Sequence, residues 1–455
     1  MMSGPMGLGV ATVAFRTLGC KLNQCETAQM EESLTARGVR LVPWSSPADV
    51  RVLNTCTVTG KTDRTCRNEI RRVARADPEA RLIVTGCYAQ VAADVIAAIP
   101  GVDLVLGNLD KSELAGHVAA LFGPDSEAAG SARHTTEASP AHVTSYSSTT
   151  MIRDDFVTHF SGYTRAFLKV QNGCDSRCSY CVIPLARGPS RSMPLARVVD
   201  QVRLLTERDY REVVLTGIHL GTWGRDTDEG SLPDLLEALV TTTDMPRFRL
   251  SSIEPLEVDD GVLEVMRTER ERFAEHFHLP LQSGSDSVLR RMNRPYDAAG
   301  YTERVEAVRR AFPDSAIGAD VIVGFPGETD IEFEETVALV ERLPLTYLHV
   351  FPYSDRPGTA ASSAPSKVPP HDVAERAARL RRVGQAKDAA FQRRFAGHEL
   401  TALLLKQRSD DGLIVGLTGN YLEVLVVGHD SQMNRLAPVV PSVRRPDGRW
   451  EGRIA

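Results

Sequence analysis

Apolar residues in this chain cluster in short runs separated by amphipathic stretches, and the order of the two kinds of segment predicts its architecture. VATVAFRTLG reads as a strand, followed by a helix from about Asn23 to Ala36. DVRVLNT is a second strand, with a helix from about Asp63 to Ala76 stopped by Pro78. ARLIVTG is a third, with a helix over Ala89–Ala98 stopped by Pro100, and VDLVLG a fourth, with a helix to about Leu121. Short apolar strands alternating with helices call for a doubly wound parallel sheet, here an α/β domain over 11–123. The following stretch, 124–159, includes PDSEAAGSARHTTEASPAHVTSYSSTT. It is poor in large apolar residues and reads as a flexible linker.

Alternation resumes at about Thr164. RAFLKVQ, EVVLTGI, RFRLSSI, HFHLPL, AIGADVIVGF and YLHVFPY are strand candidates with helical segments between most of them. They predict a central partial α/β (TIM-like) barrel over 160–390, whose chemistry belongs at the C-terminal strand ends. A basic helix spans roughly His371 to Phe395. The tail, 391–455, changes character: ELTALLL, LIVGLT, YLEVLVVG and APVVPSV are short strands, with turns at Asp411-Gly412 and Asp447-Gly448. That predicts a small all-β barrel of the oligonucleotide-binding kind.

The 455 residues suit roughly two to four domains. A formal charge of −6 leaves nucleic-acid contact to local patches. No apolar run reaches membrane-spanning length, and MMSGPMGLGVATVAF lacks a basic leader region and a clear cleavage site. The expected location is cytoplasmic, with reduced thiols. The eight cysteines then point to metal or cluster binding, since an even count signals disulfides only in a short secreted chain.

Cys174-x-x-x-Cys178-x-x-Cys181 follows a strand directly. Three thiolates in one tight loop can hold three irons of a cubane cluster and leave the fourth open to a small molecule. A zinc site short of one ligand is the plainer alternative. Cys20, Cys56 and Cys87 each end a strand of the first domain, in TLGC, LNTC and VTGC. A parallel sheet brings such ends to one edge, so these three suit a second cluster, against the bland reading of buried apolar thiols. Cys25 and Cys66 fall inside predicted helices and fit a ligand role less well.

The cysteine loop, with the aromatic Tyr180 before its third cysteine, resembles the radical S-adenosylmethionine superfamily. TLGCKLNQCET, LNTCTVT, VTGCYAQ, GCDSRCSYCVIPLARG, LTGIHLG, SSIEP, HLPLQSGSDSVLRRMNR, DVIVGFPGET and HVFPYSDRPGT extend the resemblance to the methylthiotransferase family over nearly the whole chain. The resemblance implies an N-terminal methylthiotransferase domain, a radical core and a C-terminal TRAM domain. It implies two 4Fe–4S clusters, one of them binding S-adenosylmethionine, a tRNA substrate and a small reductase or flavodoxin-type electron donor. GCKLNQ with NTCTVT and LTGIHLG is similar to the branch that modifies threonylcarbamoyladenosine beside the anticodon. The other branches act on isopentenyl-adenosine in tRNA or on a ribosomal protein. The sequence departs from the family pattern at Cys25, Cys66 and Met193. A reading of another class is a non-catalytic RNA-binding protein with structural zinc.

Thr216, Gly217, Ser252, Glu254, Gln282 and Asp320 lie at or near strand termini and are candidates, with Tyr180, for cofactor or substrate contact; capping or turn chemistry is the alternative. GFPGE lacks the Lys-Ser/Thr of a phosphate loop, which excludes a nucleoside triphosphatase. Arg64, Arg67, Arg71 and Arg75 share a helix face by spacing, and Arg376 and Arg379 begin a second basic stretch; both are candidates for RNA contact, against the reading of a solvated face. The tail carries nine Lys/Arg against seven Asp/Glu.

Overall fold

The structure is a computed structural model that describes residues 11–121, 138–147, 152 and 156–455. The first body contains β1 (Thr12–Thr17), α1 (Lys21–Thr35), β2 (Arg40–Leu41), β3 (Val50–Thr55), α2 (Gly60–Ala76), β4 (Arg81–Gly86), α3 (Cys87–Val91), α4 (Ala93–Ala97), β5 (Leu104–Leu106), α5 (Leu114–Leu121) and β6 (Ala141–His142). Its six strands run in the order β2-β1-β3-β4-β5-β6, all parallel. This is the expected doubly wound sheet, with the winding reversing between β1 and β3. Every residue of β3 is buried, because helices cover both faces.

β2 adds to the expected elements, and two local expectations need correction. β2 is too short to carry a periodic signal. The helix expected over Ala89–Ala98 is two short helices, broken at Ala92, where φ is −145°. Within the expected linker, residues 138–147 join the sheet instead: Val105 N donates to Pro140 O at 3.0 Å and Gly107 N to His142 O at 2.8 Å. An open strand edge takes a partner whatever that partner's composition. Ile152 and Val157, from the same stretch, are buried with Phe160 in the core of the second body. Residues 124–137, 148–151 and 153–155 of the expected linker lie outside the described residues.

The second body contains β7 (Ala166–Lys169), β8 (Gln171–Asn172), α6 (Ile183–Arg187), β9 (Arg191–Ser192), α7 (Leu195–Glu207), β10 (Glu212–Thr216), α8 (Leu232–Thr242), β11 (Arg247–Leu250), α9 (Asp260–Thr268), β12 (His276–His278), α10 (Asp286–Arg291), α11 (Ala298–Ala311), β13 (Ala316–Val323), α12 (Asp330–Arg342), β14 (Tyr347–Pro352) and α13 (Pro370–Arg393). Two parallel runs, β7-β10-β11 and β12-β13-β14, are joined by single bridges at Phe248–Phe273 and Ser252–His278, giving an open six-stranded barrel. Strand alternation divides β11 between two environments: Phe248 and Leu250 join the apolar core, whereas Arg247 and Arg249 meet Glu212.

The tail is a closed barrel of β15 (Leu400–Arg408), β16 (Ile414–Thr418), β17 (Glu423–Val426), β18 (Leu436–Arg444) and β19 (Trp450–Ile454), in the order β15-β16-β17-β19-β18. The unexpected fifth strand, β19, has a mostly polar sequence, WEGRI. It is anchored by Trp450, which is buried and donates Nε1 to Gln392 Oε1 at 3.0 Å.

This tail barrel stoppers the N-terminal mouth of the second. Glu212, Arg247, His276 and Tyr347 are each the first residue of their strands. Arg247 donates to Leu417 O at 3.1 Å, and Arg249 to Thr418 O and Gly419 O, both at 3.0 Å. Tyr421, at φ 72°, stacks on His276 with ring centroids 4.3 Å apart. Glu212 holds both guanidiniums at 2.5 and 2.9 Å, and those charges keep its carboxyl well below the usual range despite its burial. Glu212→Ala strands buried cations and is expected to cost roughly 3–5 kcal/mol. A lowered thermal midpoint, with faster proteolytic release of the tail barrel, checks this.

Candidate active site

Cys20 caps α1 just beyond β1, Cys56 follows β3, and Cys87 opens α3 directly after β4. These strands are neighbours in the sheet, so the three thiols emerge on one edge. Left-handed glycines make the convergence possible. Gly86 has φ 104°, and a Cβ there would lie 2.3 Å from Thr55 O; a Cβ at Gly19, φ 117°, would lie 2.7 Å from Cys56 Cβ. Cys20, Cys56 and Cys87 interact electrostatically with one another. Burial pushes the Cys56 thiol up to about 12, so its thiolate forms only against a strong local cation.

The second triad sits on a loop held at its base by the β8–β9 pair. Cys174 Sγ lies 3.5 Å from His219 Nδ1, and His219 Nε2 lies 2.9 Å from Glu257. Burial opposes a charge on His219, but its contacts with Cys174 and Glu257 raise its pKa to about 10. Arg294 donates Nη1 to Cys178 Sγ at 3.2 Å and pairs with Glu254. The MNRPY segment clamps the loop further: Ser179 N donates to Met292 O at 3.0 Å, and Asn293 Nδ2 to Arg177 O at 2.8 Å. Tyr180 packs against the small apolar cluster of Val288, Met292, Phe325 and Ala361. Burial pushes the Cys181 thiol up to about 12.

The two triads adjoin through Arg187, which ends the helix after Cys181. Arg187 is fully buried, donates Nε to Cys87 Sγ at 3.0 Å and Nη2 to Asn23 Oδ1 at 2.5 Å, and pairs with Glu26. Lys111 pairs with Glu26 as well. Asn108 Nδ2 donates to Ala186 O at 2.7 Å and lies 3.7 Å from Cys87 Sγ. Tyr146, from the expected linker, packs against Gly188 so closely that a Cβ there would lie 2.3 Å from its ring.

A cavity of about 650 Å³ opens beside Cys20, lined further by Lys21, Arg165, Ile183, Thr216, Gly217 and Ser252, with Leu405, Gln407 and Glu423 from the tail barrel. Of the candidate polar residues, Thr216, Gly217 and Ser252 therefore share one space. Ser252 Oγ lies 2.7 Å from His278 Nδ1, and His278 and His349 lie 3.1 and 3.2 Å from Asp320. Gln282, at φ 65°, bonds along β13, with its N donating to Asp320 O at 2.8 Å.

Two family models match the chain: the uncharacterized protein family UPF0004 over residues 12–107, and the radical SAM superfamily over 168–340. The threonylcarbamoyladenosine tRNA methylthiotransferase MtaB of Bacillus subtilis is 36% identical over 94% of this chain and 93% of its own. That of Aquifex aeolicus is 39% identical over 92% and 97%. The chain belongs to the MtaB-like radical S-adenosylmethionine methylthiotransferases. A tRNA-2-methylthio-N(6)-dimethylallyladenosine synthase of Novosphingobium aromaticivorans is 34% identical over 91% of each chain. In fold, this methylthiotransferase is similar to the radical S-adenosylmethionine methyltransferase TsrM of Kitasatospora setae, with a TM-score of 0.54 and 15% identity over 77% and 74% of the chains. The family is an enzyme family that uses a 4Fe–4S cluster and S-adenosylmethionine.

The residues present fit a cluster better than a single ion. Among the described residues, the one group of three His, Cys, Asp or Glu ligand atoms within 4.8 Å of one another is His278, Asp320 and His349. Neither cysteine triad is that tight, whereas zinc at about 2.3 Å from each sulfur would draw its thiolates closer than that. Cys66, which fitted a ligand role less well, donates to Cys56 O at 3.3 Å. Cys25 is a core residue. Met193 is buried, and its carbonyl accepts from Trp223.

The arginines expected at RNA divide. Arg64, Arg71 and Arg75 are exposed on α2, while Arg67 donates to Tyr88 OH at 2.6 Å. Arg376 is a correction: it is buried and pairs with Glu328 and Asp330, so no phosphate reaches it. Arg379 pairs with Glu334. Sequence reasoning missed Glu26, Lys111, His219, Glu257, His278, Arg294 and His349. The MNR triplet that carries Arg294 was within a quoted motif, but nothing in it says that it faces a cysteine.

Gly86→Ala is expected to cost well over the roughly 1–2 kcal/mol that left-handed backbone alone costs a side chain. Gly38→Ala also stands at positive φ, 81°, but meets no atom within 4 Å, and supplies the reference. Chemical unfolding of the two variants compares them.

Proposed function

We propose that this enzyme adds a methylthio group to C2 of N6-threonylcarbamoyladenosine, immediately 3′ of the anticodon of tRNA. The observation that carries the reading is the adjacency of the two cysteine triads through Arg187, with Cys20 opening on a cavity. The names borne by the relatives from Bacillus subtilis and Aquifex aeolicus support the choice of base.

Cys174, Cys178 and Cys181 would hold a 4Fe–4S cluster whose open iron binds S-adenosylmethionine and supplies the electron that splits it, and Cys20, Cys56 and Cys87 a second that carries the sulfur to be transferred. Around them the chain orients and excludes water. Arg294 and the MNRPY clamp fix the cysteine loop. Thr216, Gly217 and Ser252 line the space where cofactor and base meet. Glu254 acts by holding Arg294, and Asp320 by orienting His278 and His349. Tyr180 backs the loop, and Gln282 shapes the strand end beside it.

The division of labour follows the three bodies: 11–123 for the sulfur-carrying cluster, 160–390 for the radical and 391–455 for RNA. The base must leave its stack to enter the cavity. Phosphates beside it would meet Arg64, Arg71 and Arg75 and the tail barrel, with salt-sensitive affinity. A small flavodoxin-type reductase would supply electrons, and the setting is the cytoplasm.

The test is anaerobic reconstitution with iron and sulfide, then incubation with S-adenosylmethionine, reductant and tRNA bearing either threonylcarbamoyladenosine or isopentenyl-adenosine. Digested nucleosides are read by mass spectrometry. Methylthio product is expected on the first tRNA alone; product on the second alone contradicts the choice of base. Cys178→Ala should abolish 5′-deoxyadenosine formation. Cys56→Ala should retain part of it while making no methylthio product, and full product from Cys56→Ala would remove the second cluster from the account.

A further inference from the structure

Four cations surround one carboxylate at the N-terminal mouth of the second barrel, and they are not equivalent. Glu212 gives its two oxygens to Arg247 and Arg249 at 2.5 and 2.9 Å, and both guanidiniums also serve tail-barrel carbonyls. Arg165 is left with Glu212 at 3.5 Å, and its buried Nη1 makes no hydrogen bond. Lys21, first residue of α1, is enclosed near Arg165 and Arg249, and among the described residues it has no ion pair or hydrogen bond. Both residues line the cavity that also exposes Cys20, Thr216 and Gly217. The other charged residue of that lining, Glu423, is exposed on the tail barrel. Ser251, in the same lining, is buried with its Oγ unpartnered. An enclosed lysine without an ion pair, a buried guanidinium nitrogen without a hydrogen bond and an unpartnered hydroxyl are each unfavourable unless a ligand supplies what is missing.

We propose that Lys21 and Arg165 form an anion subsite that takes the carboxylate of the amino-acid arm carried by the target base. The inference rests on the proposed base, whose N6 substituent ends in a carboxylate. β7 and β10 run side by side with Thr216 opposite Lys169 and Val213 opposite Ala166, which puts Arg165 level with Glu212. Four residues of strand separate that level from Thr216, about 13 Å. A purine placed at the level of Thr216, beside Cys20, directs a substituent toward the two cations; an apolar arm there would leave Lys21 without a partner and Arg165 with Glu212 alone. Lys21 and Arg165 thus select the base.

The experiment uses the reconstituted full-length protein and anticodon stem–loop RNA carrying threonylcarbamoyladenosine or its carboxamide, with affinity read by fluorescence anisotropy. The protein is expected to bind the acid at least about tenfold more tightly than the amide, as a charge-assisted pair in an enclosed site provides. Lys21→Gln should reduce that preference to less than about threefold by weakening the acid alone, Arg165→Gln should do the same, and Lys21→Arg should keep it. Equal weakening of both RNAs by Lys21→Gln, an undiminished acid preference, or loss of bound iron in that variant would overturn the subsite. Methylthio product on isopentenyl-adenosine tRNA alone would overturn the proposed base and the subsite together. Product on threonylcarbamoyladenosine tRNA with no acid preference would overturn the subsite only.

Discussion

The guanidinium of Arg187 divides its donors between a thiol, an amide and a carboxylate, all contributed by the first body, although its own backbone belongs to the second. Glu26, between Arg187 and Lys111, is held ionised: burial works against the charge, and the two cations outweigh it. A buried triad of this kind is a costly way to gain stability, since well-packed apolar residues often serve as well. What it provides is position. Arg187 ends the short helix that starts two residues after Cys181, so fixing its tip on Cys87 fixes the distance between the two cysteine loops. The same helix end is held by Asn108 and Tyr146 through the carbonyl of Ala186.

The other constraint is closure. An open six-stranded barrel leaves inward-facing polar groups exposed at its N-terminal mouth, and the tail barrel supplies the carbonyls of Leu417, Thr418 and Gly419 and the ring of Tyr421 to meet them. The tail barrel also contributes Leu405, Gln407 and Glu423 to the cavity. A module expected to hold RNA is therefore part of the wall beside the candidate site, an arrangement that would couple RNA binding to exclusion of water.

Much of this was legible in the sequence because it depends on local pattern. Strand–helix alternation dictated the parallel sheet, and cysteines at successive strand ends must share an edge once that sheet is parallel. The contacts that tie the site together are not local: Lys111 and Glu26 are 85 residues apart, Arg187 and Glu26 161. No periodicity reports such a pair. Arg376 shows the opposite failure, since a basic run on a helix does not reveal which member turns inward to Glu328. The strand at Ala141 is not legible, because polar, low-complexity composition says what a segment cannot bury, not what backbone edge it can pair with.

The central claim is that two separate cysteine triads each hold a cluster in one chain. Mössbauer spectroscopy with iron quantification on the anaerobically reconstituted protein tests it most directly, alongside two variants, one with Cys20, Cys56 and Cys87 all replaced by Ala and one with Cys174, Cys178 and Cys181 replaced. The account predicts about eight irons per chain in cubane clusters in the unaltered protein and about four in either variant. Iron unchanged by loss of the first triad, or a colourless protein holding zinc, would contradict it.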